Sequence, residues 1–154
     1  MNISDLLEVA KGSARQIIES GEEHHMIMVI ETPHALQVLR ILLTDHNKPS
    51  FVPAMTHYLQ SQNALSYVFI SEGWAVKATT GAPIIRRLSS GEIHIVDLPP
   101  DDRTEILQII AHQRGETPHL FTAPIRNTPQ GRLLGDFTEF VADQISGRMV
   151  IKEW

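Results

Sequence analysis

The sequence predicts an α+β domain: a mixed, largely antiparallel sheet of about five or six strands with two or three helices packed on it. Three observations predict it. An apolar stripe at helical spacing opens the chain, short β-branched and aromatic runs of strand length follow, and the connections between several of those runs are short enough for hairpins. The 154 residues match one ordinary domain spanning 1–154. A chain of that size buries roughly 70% of its unfolded surface without disulfides or metals.

Residues 3–20 predict an amphipathic helix. Ile3, Leu6, Leu7, Ala10, Ala14, Ile17 and Ile18 recur at intervals of three and four, with Lys11, Arg15 and Glu19 on the polar side. Asn2 or Ser4 can cap its start and Gly21 can stop it. Glu22, Glu23 and the His24-His25 pair then read as a solvated connection. Met26 to Ile30 is a continuous apolar run, as in a strand covered on both faces. Segment 33–44 fits either a helix with Pro33 in its first turn or a returning hairpin strand over 36–43, and its apolar crowding favours the strand. Residues 51–62 predict a helix, with Pro53 tolerated only in its first turn. Tyr67-Val68-Phe69-Ile70 marks the clearest strand, over 65–78. A Thr-, Gly-, Ser- and Pro-rich loop is expected at 79–91 and a strand at 92–97. The segments 104–113 and 119–126 follow, read as two strands of a hairpin turning at Gly115-Glu116-Thr117. A helix over 104–113, capped by Asp101 or Asp102, fits the same spacing. The tail offers a loop near 127–132, an amphipathic piece from Leu133 to Ile145 and a last strand-like Met149-Val150-Ile151.

Composition excludes several chemistries. There is no cysteine, so disulfides, thiolate nucleophiles, iron–sulfur clusters and cysteine-bound zinc are ruled out. The net charge of −5 lacks the electrostatic footprint of non-specific nucleic-acid binding. Arg86, Arg87, Arg126 and Arg132 would have to assemble into a stripe to restore it. No apolar run is long enough to span a bilayer, and nothing at the N-terminus reads as a signal peptide, so a cytoplasmic protein without a membrane partner is expected.

No Gly-x-Ser-x-Gly, phosphate-loop or dinucleotide fingerprint occurs. The eight histidines form neither His-x-His nor His-Glu-x-x-His. Glu92 and His94 share a face if 92–97 is a strand. That makes them the one candidate metal pair, although such a face is more often simply solvated. No metal or cofactor is therefore expected.

One local feature stands out. The apolar strand runs directly into Ser71-Glu72-Gly73-Trp74. A carboxylate at the end of a buried strand needs a partner, and Arg103, Arg126 or Arg86 could supply it. Tyr67-Val68-Phe69-Ile70-Ser71-Glu72-Gly73-Trp74, with Pro100-Asp101-Asp102-Arg103-Thr104-Glu105 and Ile125-Arg126 after it, resembles a pattern in small uncharacterised bacterial and phage-borne proteins. The resemblance covers about residues 26–126. Gly73 stands where that pattern more usually has alanine. The resemblance implies that Glu72, Trp74, Arg103, Glu105 and Arg126 form one constellation, and it implies no activity.

Two functional classes follow. The first is a non-catalytic interaction module for a protein partner or a second copy of itself, whose apolar hairpin leaves an edge to pair. The second is a small-ligand binder or enzyme in which Glu72 is the recognising or acid–base group and Arg103 and Arg126 hold an anionic ligand. A filled surround at Glu72 would favour the first and an open pocket the second.

Overall fold

The computed structural model describes residues 2–76, 82–140, 151, 153 and 154. Helix α1 spans Ile3–Glu19. The Asn2 side chain accepts the Asp5 amide at 2.9 Å, which satisfies one of the orphan donors of the first turn. The helix closes at Gly21 (φ +89). There the Gly21 and Glu22 amides donate back to the Ile18 and Ile17 carbonyls, a C-terminal geometry that glycine adopts without a Cβ penalty. Leu6, Ala10, Ala14 and Ile18, four residues apart, are the buried face.

The described residues then give β1 (Ile27–Glu31), β2 (Leu36–Arg40), α2 (Phe51–Ser61), β3 (Ser66–Val76), α3 (Ala82–Ser90), β4 (Arg103–Gln113), β5 (His119–Thr128), β6 (Gly131–Leu134) and β7 (Thr138–Phe140). The strand order is β2-β1-β3-β4-β5-β6, with β7 also on β5. Every described pairing is antiparallel. The α+β class holds, as do the strand readings of 36–43 and 104–113. The hairpin turn between β4 and β5 contains Gly115 at φ +81, where a left-handed residue is required.

Alternation along β3 divides the core. Val68 and Ile70 face α1, packing with Leu107, Ile109, Phe121 and Ile125. Tyr67 and Phe69 face the other way, towards Phe51 and Leu59 of α2 and Ile151. Helices α1 and α2 thus cover opposite faces of one sheet, which is why β3 is apolar on both sides. The polar side of α1 is not wholly solvated either. Arg15 donates to the carbonyls of Leu134 and Gly135, and Lys11 stands 4.4 Å from the Phe121 ring centre, where a cation is attracted by the ring's electron-rich face.

Three segments differ from expectation. The loop read at 79–91 contains α3, whose signals are weak: Pro83 in the first turn and Gly91 (φ +80) just past the end. The strand read at 92–97 is instead a 3-10 turn at Ile95–Asp97, where the His94 amide donates to the Asp97 carboxylate at 3.1 Å. Glu92 pairs with Arg87 at 3.4 Å. The shared strand face that made Glu92 and His94 a metal candidate therefore does not form. The amphipathic piece from Leu133 resolves into β6 and β7 up to Phe140, and the rest of it, with Met149 and Val150, lies outside the described residues.

Candidate functional site

The constellation around Glu72 is built where β3, β4 and β6 present side chains to one face of the sheet. Strands β4 and β5 pair until Ile106 meets Pro124. Pro124 turns its carbonyl to the other edge of β5, where it accepts the Gly135 amide at 2.8 Å, and on from there Ile125–Thr128 pair with β6. From β6, Arg132 reaches both Glu72 of β3 and Glu105 of β4. Close packing holds this joint: a Cβ on Gly135 would stand 2.7 Å from Pro124 Cγ, inside any real van der Waals contact.

Glu72, Trp74, Glu105 and Arg132 all fall on the α1 face by strand parity. The Arg132 guanidinium bonds Glu72 Oε1 and, at 2.8 Å, Glu105 Oε1. Its other terminal nitrogen donates to the Glu22 carbonyl at 3.1 Å. Glu72 Oε2 accepts the His24 amide at 2.8 Å, and Glu105 Oε2 accepts Asn127 Nδ2 at 3.1 Å. Both oxygens of both carboxylates are therefore satisfied. The side chains of Glu72 and Arg132 are only 13% and 17% exposed. Burial works against the charge on Arg132, but the hydrogen bond from Glu72 and the charges of Glu72 and Glu105 outweigh it and raise its pKa.

The sequence-derived set is thus partly assembled. Glu72, Trp74 and Glu105 lie together along one groove. Arg103 is on the same face but serves Trp74: its guanidinium lies 4.4 Å from the indole centre and bonds the Val96 carbonyl at 2.8 Å. Arg126 does not join. It follows buried Ile125 on β5, points to the opposite face and is exposed. The partner of Glu72 is Arg132, whose place depends on a register that pairs it with Asn127. Arg132 is engaged with these carboxylates, which takes it out of any basic stripe with Arg86, Arg87 and Arg126.

Beside the triad runs a groove of about 410 Å³ lined by Glu23, Glu72, Gly73, Trp74, Glu105 and Arg132. Its carboxylates outnumber its one arginine, so it favours a cationic guest over the anion that Arg103 and Arg126 would have met. No group of three or more potential metal ligands occurs among the described residues.

Two buried histidines escaped the sequence reading. His24 is buried in the connection that looked solvated, with its amide on Glu72. His112 is buried against Tyr67 and Trp154, with ring centroids 5.4 and 4.9 Å away. Its Nε2 is 2.9 Å from the Glu116 carbonyl. Burial pulls the His112 pKa down, only partly offset by its hydrogen bonds to the backbone at Glu116 and Ile151. Burial likewise raises the pKa of Tyr67, against the effect of its bond to the Ile151 carbonyl.

The opposite end of the sheet is open. The Ile41 amide bonds the Met26 carbonyl and the Thr32 amide the Ala35 carbonyl. Alternation from those bonds aims the amides and carbonyls of Leu36, Val38 and Arg40 away from β1. Among the described residues no strand pairs with that edge. Leu36, Val38 and Leu42 are exposed there, Val38 at 66%. The α2 face of the same hairpin is covered: Leu39, Ile41 and Leu43 pack against the second core, and Tyr58 donates to Gln37 at 2.6 Å.

No family model, curated protein or solved structure matches the chain. Among the described residues no helix is long and apolar enough to cross a membrane.

Proposed function

We propose that this chain is a non-catalytic interaction module whose working surface is the outer edge of β2, which takes up an extended segment of a protein partner by strand addition. The observation that carries this is the run Leu36, Val38, Arg40: three residues with outward-pointing amides and carbonyls, flanked by exposed apolar side chains. Sheet edges are ordinarily blunted by charge, proline or bulges, and residues 36–43 offer only Arg40. The Glu72 cluster supports the same reading from the other side, since its carboxylates and its arginine are consumed by one another, by the backbone and by the Asn127 side chain.

The test is residue-resolved amide exchange. Leu36, Val38 and Arg40 should exchange fast in the dilute protein. They should become protected as a panel of extended peptides with alternating apolar residues, or more of the protein itself, is added. Val38→Pro should abolish the protection while leaving the fold intact, because the Val38 amide donates to no strand inside the sheet. If neither the peptides nor rising protein concentration slows exchange at these three amides, the proposal fails.

A second reading rests on the groove beside Trp74. Its excess of carboxylate and its indole wall suit a small organic cation. A thermal-shift series with simple alkylammonium and guanidinium ions checks this, since binding to the native state alone raises the melting temperature. Shifts that persist unchanged in Trp74→Ala would remove the groove from consideration.

A further inference from the structure

We infer that the segment added to β2 is the β2 of a second copy of this chain, paired antiparallel about Val38 in an isologous dimer. The inference rests on the strand-addition reading and names its partner. A two-fold axis at Val38 sets Val38 against itself and Leu36 against Arg40 of the partner. All of these positions carry outward ladder groups, so each facing pair can exchange both hydrogen bonds. No like charges meet, whereas an axis at Arg40 would oppose two guanidinium groups.

Charge complementarity selects the same register. Glu31 of β1 is the cross-strand neighbour of Leu36 and lies on the same face. The Arg40 of one copy, passing over Leu36 of the other, is directed at that carboxylate, and symmetry repeats the contact. Among the described residues of the single chain Arg40 has only a long contact with His25, at 3.4 Å, so little is given up when it turns. The alternative axis at Leu39 would bring Arg40 against Val38 and its β1 neighbour Val29, with no acid at hand. The exposed apolar side chains of Leu36 and Val38 then form one stripe across the joint. A single strand pair is small beside the roughly 1,600 Å² of a standard interface. The dimer is therefore expected to be concentration-dependent.

The experiment is sedimentation equilibrium from low micromolar to several hundred micromolar, on wild type, Val38→Pro and Val38→Lys. Wild type should move from monomer to dimer. Either variant should raise the dissociation constant by about thirtyfold or more, as expected of a central interface residue. Because the chain has no cysteine, Val38→Cys is a clean register probe. At about 5.5 Å between the facing α-carbons it lies within disulfide range, and it should cross-link under mild oxidation. A dimer that both variants leave intact, or that Val38→Cys fails to cross-link, overturns the inference by moving the interface elsewhere. A monomer throughout, whose edge amides peptides still protect, overturns the second copy as partner and leaves strand addition standing. A monomer with no protection by peptides sinks both.

Discussion

At one end of this sheet polar groups are closed upon one another; at the other, apolar ones are left open. Where β3, β4 and β6 converge, both oxygens of Glu72 and of Glu105 have donors, and Arg132 spans them and the backbone of the α1–β1 connection. At β2 the ladder groups of three successive outward residues face no described strand, and Val38 stands in the open. The residue types are the reverse of what simple burial rules place in each environment. Charge buried with full pairing fixes a register and a joint, whereas apolar surface left at a sheet edge is a place for another chain. On the function proposed above, the conspicuous Glu72–Trp74 motif serves construction and the plainer hairpin carries the interaction.

The closed end should therefore be costly to disturb. Arg132→Leu removes the one cation between two largely buried carboxylates and is expected to destabilise by about 3 kcal/mol, as for breaking a buried pair by deleting one partner. Urea unfolding at neutral pH measures it. A loss no larger than that of an ordinary surface substitution would mean that solvent already screens the triad. Gly135→Ala acts on the same joint through sterics alone. With its Cβ 2.7 Å from Pro124 Cγ, it should cost about 2 kcal/mol, in the range of overpacking strain. Glu72→Gln keeps an acceptor but loses the charge, and about 1–2 kcal/mol is expected. Combined with Arg132→Leu it should be markedly less than additive, because the two residues share one contact. Full additivity would dissolve the claim that they act as a unit.

The elements whose burial shows in their own spacing were legible. The α1 stripe, the two-faced apolar run of β3 and the β4–β5 hairpin follow from period and turn chemistry within a few residues. Glu72, Trp74 and Glu105 were grouped in the sequence only by the resemblance; the register of β3 on β4 is what puts them on one face. Arg132 was not grouped with them. Its pairing requires knowing that β6 joins the end of β5 in the register that sets Arg132 opposite Asn127, which is a tertiary fact. Arg126 looked equally good in the sequence and fails by one residue of parity after Ile125. Helix α3 was hidden by composition: Ser, Thr, Gly and Pro around 79–91 mask the start and stop signals at Pro83 and Gly91. His24 and His112 were missed because a histidine in isolation gives no sign of burial; only the Glu72 contact and the packing of Trp154 reveal it.

A smaller effect separates the second core from both ends. Because burial depresses the His112 pKa in the folded protein, the unfolded chain binds a proton more readily than the native state below about pH 6.5. The sign follows from linkage: stability is full above the unfolded pKa and falls as pH drops from there towards the lower folded value. The difference in unfolding free energy between wild type and His112→Gln should shrink over that window and stay constant above it. A difference that grows on acidification would mean that the native state prefers charged His112.

The smallest change in stability is expected where the functional change is greatest. Val38→Lys replaces an exposed edge side chain, breaks no hydrogen bond inside the sheet and leaves α2 and its face of the hairpin untouched. Its cost to the isolated monomer should stay within about 0.5 kcal/mol, measured by urea unfolding at a concentration well below that needed for association. A lysine at that point also supplies the charge with which natural sheets protect an edge. Its absence from the native strand thus reflects no demand of the fold, and a use for the edge has to account for it. If Val38→Lys instead unfolded the monomer, Val38 would belong to the core, the edge would not be a free surface, and the contrast between the two ends of the sheet would disappear.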